Sequence, residues 1–246
     1  MKALVIGESC IDKFIYGAAN RMAPEAPAPV IVPHREVCSP GMSANVAQNL
    51  RALGATVDHL SNPNKIEKTR YVDDKTNHLL LRIDTGDADT QAMHPITKYY
   101  KDLNQYDVIV ISDYCKGFIT EDDILMISNM HDNVFVDTKK RINECFKNVR
   151  CLKINEHEYE SSKDYIDEDS DLKKKTVVTL GKLGCRLNNK IFSVPEVEVK
   201  DQVGAGDTFL AGLAYRFTLT KDMPDAIIYA NQCATKVVSR RGTVSL

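Results

Sequence analysis

The chain has 246 residues, of which 43% are hydrophobic and 27% charged, and this composition excludes a disordered segment and supports a sizeable core. Lys and Arg total 32 against 34 Asp and Glu, a formal net charge of -2, which argues against a dedicated nucleic-acid binder or a polybasic membrane-surface protein. Seven cysteines without a C-x-x-C pair read as reduced thiols, with a cytoplasmic location as the expectation.

In chain order, residues 3–6 form a continuous apolar run that reads as a first strand, not a secretion signal, because Glu8 and Asp12 follow at once. Residues 14–37 carry Pro24, Pro27, Pro29 and Pro33 and have strand-like pieces, so a long helix is excluded there. Residues 43–53 place Val46, Ala47, Leu50 and Leu53 on one helical face, with Gly54 as the stop. Residues 69–84 include the run His78-Leu79-Leu80-Leu81-Arg82-Ile83; with the proline-rich piece they read as a small β layer or as two surface hairpins. Helices are predicted at 95–103, 121–130 and 155–162, and strands at 108–111, 134–136, 151–154 and 176–180. The acidic-then-basic stretch 161–175 reads as a solvated surface segment. Two long helices are predicted at 207–219 and 224–239; Phe209, Leu210, Leu213, Ala214 and Phe217 form the buried stripe of the first. Strands alternating with helices indicate an α/β doubly wound, mostly parallel sheet flanked by helices.

The most informative segment is Asp201-Gln202-Val203-Gly204-Ala205-Gly206-Asp207, which opens an amphipathic helix. Gly204, Ala205 and Gly206 at a helix start bring backbone N–H groups and the positive end of the helix dipole to one point, an anion site. Neither the P-loop nor the dinucleotide pattern occurs. Asp207 in the first turn would repel a resting phosphate, which makes sense if its carboxylate accepts a hydroxyl proton while the amides hold the transferred group. The plain alternative is a helix cap.

These residues resemble the ribokinase-like (PfkB) carbohydrate kinases. The family's D-T-x-G-A-G-D is met at 201–207 with Gln202 for threonine, and its G-G-x-x-N-x-A at Gly41-Met42-Ser43-Ala44-Asn45-Val46-Ala47 with Met42 for the second glycine. Asn155-Glu156-His157-Glu158 is similar to its N-x-x-E, and Thr179-Leu180-Gly181-Lys182-Leu183-Gly184 to its T-x-G-x-x-G nucleotide loop. Within the family, stretches 12–17, 21–30, 80–84 and 112–117 look like the heptose-7-phosphate kinases.

The resemblance implies one ribokinase-like domain over 1–246, with a β lid at about 13–38 and 69–84 that pairs two subunits as a homodimer. It implies an ATP-dependent sugar or sugar-phosphate kinase using Mg²⁺ and potentially K⁺. Asp207 would be the general base and Gly204, Ala205 and Gly206 the anion hole. Asp12, Gly41, Asn45 and Asp113 would bind the sugar, and Lys116 a substrate phosphate. Asn155, Thr179, Gly181, Gly184 and Asn231 would line the nucleotide, and Glu158 would organise Mg²⁺ through water. Asp201, with Val203, Gly242 and Ser245, would form a monovalent-cation site. Simpler readings stay open for several: a turn aspartate (Asp12), a helix cap (Asn45), a solvated lysine (Lys116), a plain helix carboxylate (Glu158) and a hairpin turn (Gly181, Gly184). The core is short after Leu60, and Met42 narrows a place where glycine admits a close approach to sugar. Alternative functions are a nucleoside or small-alcohol kinase, or a degenerate sugar-binding regulatory protein.

Overall fold

The computed structural model describes residues 1–198, 201–239 and 246. Its strands are β1 (Lys2–Gly7), β2 (Ser9–Met22), β3 (Pro29–Met42), β4 (Thr56–Leu60), β5 (Glu67–Asp73), β6 (Leu79–Thr85), β7 (Val108–Asp113), β8 (Val134–Thr138), β9 (Cys151–Asn155), β10 (Thr176–Thr179), β11 (Cys185–Leu187) and β12 (Lys190–Phe192). Its helices are α1 (Ser43–Ala52), α2 (Glu121–Met130), α3 (Glu156–Glu168), α4 (Ser170–Lys175), α5 (Ala205–Thr220) and α6 (Met223–Val238).

Eight strands form one sheet in the order β12-β11-β10-β9-β8-β7-β1-β4. From β10 to β4 all neighbours are parallel, and β11 and β12 add an antiparallel edge. The continuous apolar runs follow from this arrangement, because both sheet faces are covered. Ala3, Val5, Val108 and Val110 pack under α1, α5 and α6, whereas Leu4, Ile6, Ile109 and Ile111 pack under α2, α3 and α4. Helices on both faces leave the carboxyl ends of the parallel strands as the open edge where ligands of such folds collect.

The two stretches that broke the βα rhythm form a second sheet, β3-β2-β5-β6. It is mixed: β2 pairs antiparallel with β3 and parallel with β5, and β5 pairs antiparallel with β6. The strands are longer than expected from sequence. β2 starts at Ser9, almost directly after β1, so the lid grows from the carboxyl edge of the main sheet.

Two expectations are corrected. Residues 95–103 are not a helix: only Ile96–Lys98 makes a single 3₁₀ turn, since Ile96, Thr97, Tyr99 and Tyr100 are poor helix formers and Asp102 caps a turn at Asn104. Residues 161–175 are not merely solvated; α3 runs through them and α4 follows, capped by Asp169, with Ile166 and Leu172 buried against the sheet. The shortened stretch after Leu60 is a direct link, 61–66, from the edge strand β4 into β5.

Candidate active site

Gly204, in the left-handed region at φ 80°, turns the chain into α5 and leaves Asp207 in its first turn. Ala205 N–H donates to the Gln202 carbonyl at 3.3 Å, which leaves the Gly204, Gly206 and Asp207 amides of this turn without a backbone partner among the described residues. Asp207 is 4% exposed. Its Oδ2 accepts from Asn45 Nδ2 at 3.0 Å, and its Oδ1 accepts from the Tyr114 hydroxyl at 2.8 Å. Burial pushes its carboxyl up from 3.8 to about 6; the two hydrogen bonds pull it down, Asp137 adds to the rise and Lys153 opposes it.

Asn45 faces Asp207 because α1 begins where β3 ends, against the start of α5. Asn49 Nδ2 donates to Asn45 Oδ1 at 3.0 Å, which orients the amide so that its nitrogen meets Asp207. Asn45 is therefore held by the residue one turn on and is not an N-cap, a position occupied by Met42. Met42 adopts φ 58°, the region that favours the glycine of the family pattern, and its side chain is buried with Cys10, Ile66 and Tyr114.

Lys153 of β9 and Asp137 of β8 form a buried ion pair at 2.6 Å. The Lys153 ammonium lies beneath the Gly204–Gly206 turn: a Cβ on Gly206 would sit 3.1 Å from Nζ. Asp137 Oδ1 is buried with no hydrogen-bond partner. Glu8, fully buried after β1, accepts from the backbone N–H groups of Tyr114, Lys116 and Phe118 at 2.8, 3.0 and 3.0 Å and so fixes the loop after β7. Sequence reading assigns no role to Glu8, Tyr114, Asp137 or Lys153. The available signals were a lysine inside an apolar strand run and a carboxylate directly after the first strand, both expensive to bury without a purpose.

The other expected site residues divide. Asp12 lies on the lid strand β2, buried, with Arg70 Nη1 donating to its Oδ1 at 2.5 Å. Gly41 lies across from it, and a Cβ there would fall 2.2 Å from Asp12 Oδ2, so a side chain at 41 would displace the Asp12 carboxylate. Asp113, expected as a sugar ligand, lies buried at the end of β7. It is 1% exposed and taken up by Thr138 Oγ1 at 2.6 Å, Lys140 Nζ at 2.7 Å and Cys115 N–H at 3.0 Å, which makes it an internal anchor of the loop. Lys116 pairs with Asp87 at 2.5 Å.

Asn155 and Glu158 form a reciprocal capping box at the start of α3, with Asn155 Oδ1 accepting from Glu158 N–H at 2.9 Å and Glu158 Oε2 from Asn155 N–H at 2.7 Å. Lys139 also donates to Glu158 Oε1. Among the described residues no group of three or more His, Cys, Asp or Glu side chains is gathered to hold a metal. Thr179 Oγ1 donates to the Ile154 carbonyl at 3.3 Å. Gly184 at φ 91° closes the β10–β11 turn, where a Cβ would collide with the Phe192 carbonyl at 2.1 Å; beside Gly181 the space is open. Asn231 Nδ2 donates to the same Phe192 carbonyl at 3.0 Å, which ties α6 to β12. Asp201 Oδ1 accepts from Val203 N–H at 2.9 Å. Gly242 and Ser245, expected beside it, lie outside the described residues.

The family model for pfkB family carbohydrate kinases matches residues 41–246, which contain both glycine motifs and Asp207. The chain belongs to the pfkB family of carbohydrate kinases. It is an ATP-dependent carbohydrate kinase. It is similar to the bifunctional protein HldE of Aliarcobacter butzleri, 28% identical over 293 aligned positions covering 98% of this chain and 62% of that protein. HldE of Caulobacter sp. is 30% identical, covering 98% and 60%. The chain thus spans about three fifths of the curated relatives it matches. The fold of this pfkB kinase is similar to the ribokinase of Thermotoga maritima, with TM-score 0.69, 22% identity and coverage of 99% and 94%. It is also similar to Escherichia coli phosphofructokinase-2 in complex with potassium, with TM-score 0.71, 13% identity and coverage of 98% and 94%. Among the described residues no helix is long and apolar enough to cross a membrane.

Proposed function

We propose that this kinase transfers the γ-phosphoryl group of MgATP to a hydroxyl of a sugar phosphate, with heptose 7-phosphate the leading acceptor. The observation that carries the reading is Asp207: a buried carboxylate, pushed up to about 6, in the same helical turn as free amides that suit a phosphoryl group. Asp207 takes the hydroxyl proton as the alcohol oxygen attacks. The Gly206 and Asp207 amides and the Lys153 ammonium meet the charge on the migrating group. Asp12, with Gly41 and Asn45, faces the sugar hydroxyls from the lid side. Thr179, Gly181 and Asn231 border the nucleotide at the β10–β12 end, with Gly184 shaping their loop. Mg²⁺ arrives with ATP and keeps most of its water; Glu158 meets that water once Lys139 turns to the phosphates. The similarity to HldE supports the heptose branch. Exposed Val32, Leu79 and Leu81 on the lid support its pairing with a second copy.

The test is ADP release across a panel of heptose 7-phosphate, hexose phosphates, free sugars and nucleosides. Turnover is expected to be highest with the heptose phosphate; preference for a nucleoside would overturn the substrate assignment. Because the base must be ionised, kcat/KM is expected to be flat above pH 7 and to fall about tenfold per pH unit below about 6. A flat profile down to pH 5 would remove Asp207 as the base.

A further inference from the structure

The Tyr114 hydroxyl occupies the oxygen of Asp207 that an acceptor alcohol needs. Each oxygen holds one donor, the Asn45 amide on Oδ2 at 3.0 Å and the phenol on Oδ1 at 2.8 Å; the Asn45 amide is itself fixed by Asn49, so Oδ1 is the side that an incoming alcohol opens. This placement is built, not incidental. Glu8 binds three backbone amides of the loop, Asp113 binds Cys115 N–H, and Cys115 itself sits at φ 56°. The ring packs against Cys10, Met42 and Ile66. Burial and the nearby Asp207 and Asp137 charges hold the phenol well above its ordinary value, so it remains a donor.

We propose that Tyr114 is an acceptor-mimicking latch that prevents this kinase from hydrolysing ATP when no sugar is bound. The inference rests on Asp207 being the base. In productive turnover the alcohol proton passes to Asp207 Oδ1, the alcohol oxygen bonds to the γ-phosphorus, and the bond from that phosphorus to the β–γ bridging oxygen breaks to release ADP. Water in the alcohol's place would run the same sequence and yield ADP and inorganic phosphate. A lone water has only its own hydrogen bonds with which to displace a phenol held by a fixed loop. A polyhydroxylated acceptor brings additional contacts with the lid and displaces it.

Tyr114→Phe removes one oxygen and keeps the ring. With MgATP alone, this variant is expected to release phosphate about tenfold faster than wild type, and the KM for heptose 7-phosphate is expected to fall several-fold. A second measurement needs no variant to turn over. The chain has ten Tyr and no Trp, so tyrosine emission is observable directly. Release of a phenol from a quenching carboxylate should raise that emission when heptose 7-phosphate is added to wild type without ATP. Unchanged acceptor-free hydrolysis in an active, folded Tyr114→Phe overturns the latch alone. If the variant does not fold, an unchanged wild-type emission overturns it. Wild type that turns over no acceptor in the panel overturns the functional reading, and the latch with it.

Discussion

Replacing Asp207 with asparagine is expected to cut kcat by about 10³-fold while raising the melting temperature by about 5 °C. The two effects have one origin. A carboxyl whose folded value is raised from 3.8 to about 6 contributes stability that is fully present below 3.8 and lost as pH rises through about 6. At neutral pH the buried charge therefore costs the fold about 3 kcal/mol. An asparagine carries no charge to desolvate and still accepts from Asn45, while the Tyr114 hydroxyl rotates to accept from its amide. The same substitution removes the acidic group in the first turn of α5, the one assigned to take a proton from the alcohol. Steady-state kinetics and thermal melting at pH 7.5 check both; a variant of unchanged kcat would falsify the assigned base. The melting difference should shrink below pH 5, because protonated Asp207 no longer carries the charge.

Lys153→Met is expected to destabilise the protein by about 3–5 kcal/mol, because it leaves Asp137 charged and unpaired inside the fold. For a chain of this size that is a fall in melting temperature of about 10 °C. The double variant Lys153→Met/Asp137→Leu removes both charges and should recover most of the loss. Turnover should not follow stability: kcat is expected to remain about 100-fold down in both variants, since each lacks the ammonium beneath Gly206. Loss of Lys153 alone also removes a charge that lowers the Asp207 carboxyl, so the acidic limb of the rate profile should move to higher pH; the double variant should move it back. Wild-type turnover in the refolded double variant would make the pair structural only.

Much of this could be read along the chain because the signal was local. Residues 3–6, 108–111 and 134–136 are apolar without alternation, and a parallel strand covered on both faces requires that. The Gly204–Asp207 turn could be read because glycine, a first-turn carboxylate and an apolar helical stripe all lie within one short window. The Asn155/Glu158 pair was legible as a motif, but its visible work in the fold is the capping of α3, which its i, i+3 spacing serves equally well.

What lies far apart in the chain was hidden. Tyr114 meets Asp207 across 93 positions, and Glu8 reaches the Tyr114 amide across 106. Those contacts exist because β1 lies between β4 and β7 in the sheet, an order that no local pattern encodes. Asp113 shows the same: its place at a carboxyl strand end was legible, but its partners Thr138, from the neighbouring strand, and Lys140, from the loop after it, were not. The sequence by itself determined most strands of the parallel core, the long helices and the glycine turn that carries Asp207, since periodicity, glycine and burial act over a few residues. Only the tertiary structure decided which groups cover the two oxygens of Asp207 and which cation lies under the Gly204–Gly206 turn. Both depend on strand order, and strand order is set by the packing of the whole core.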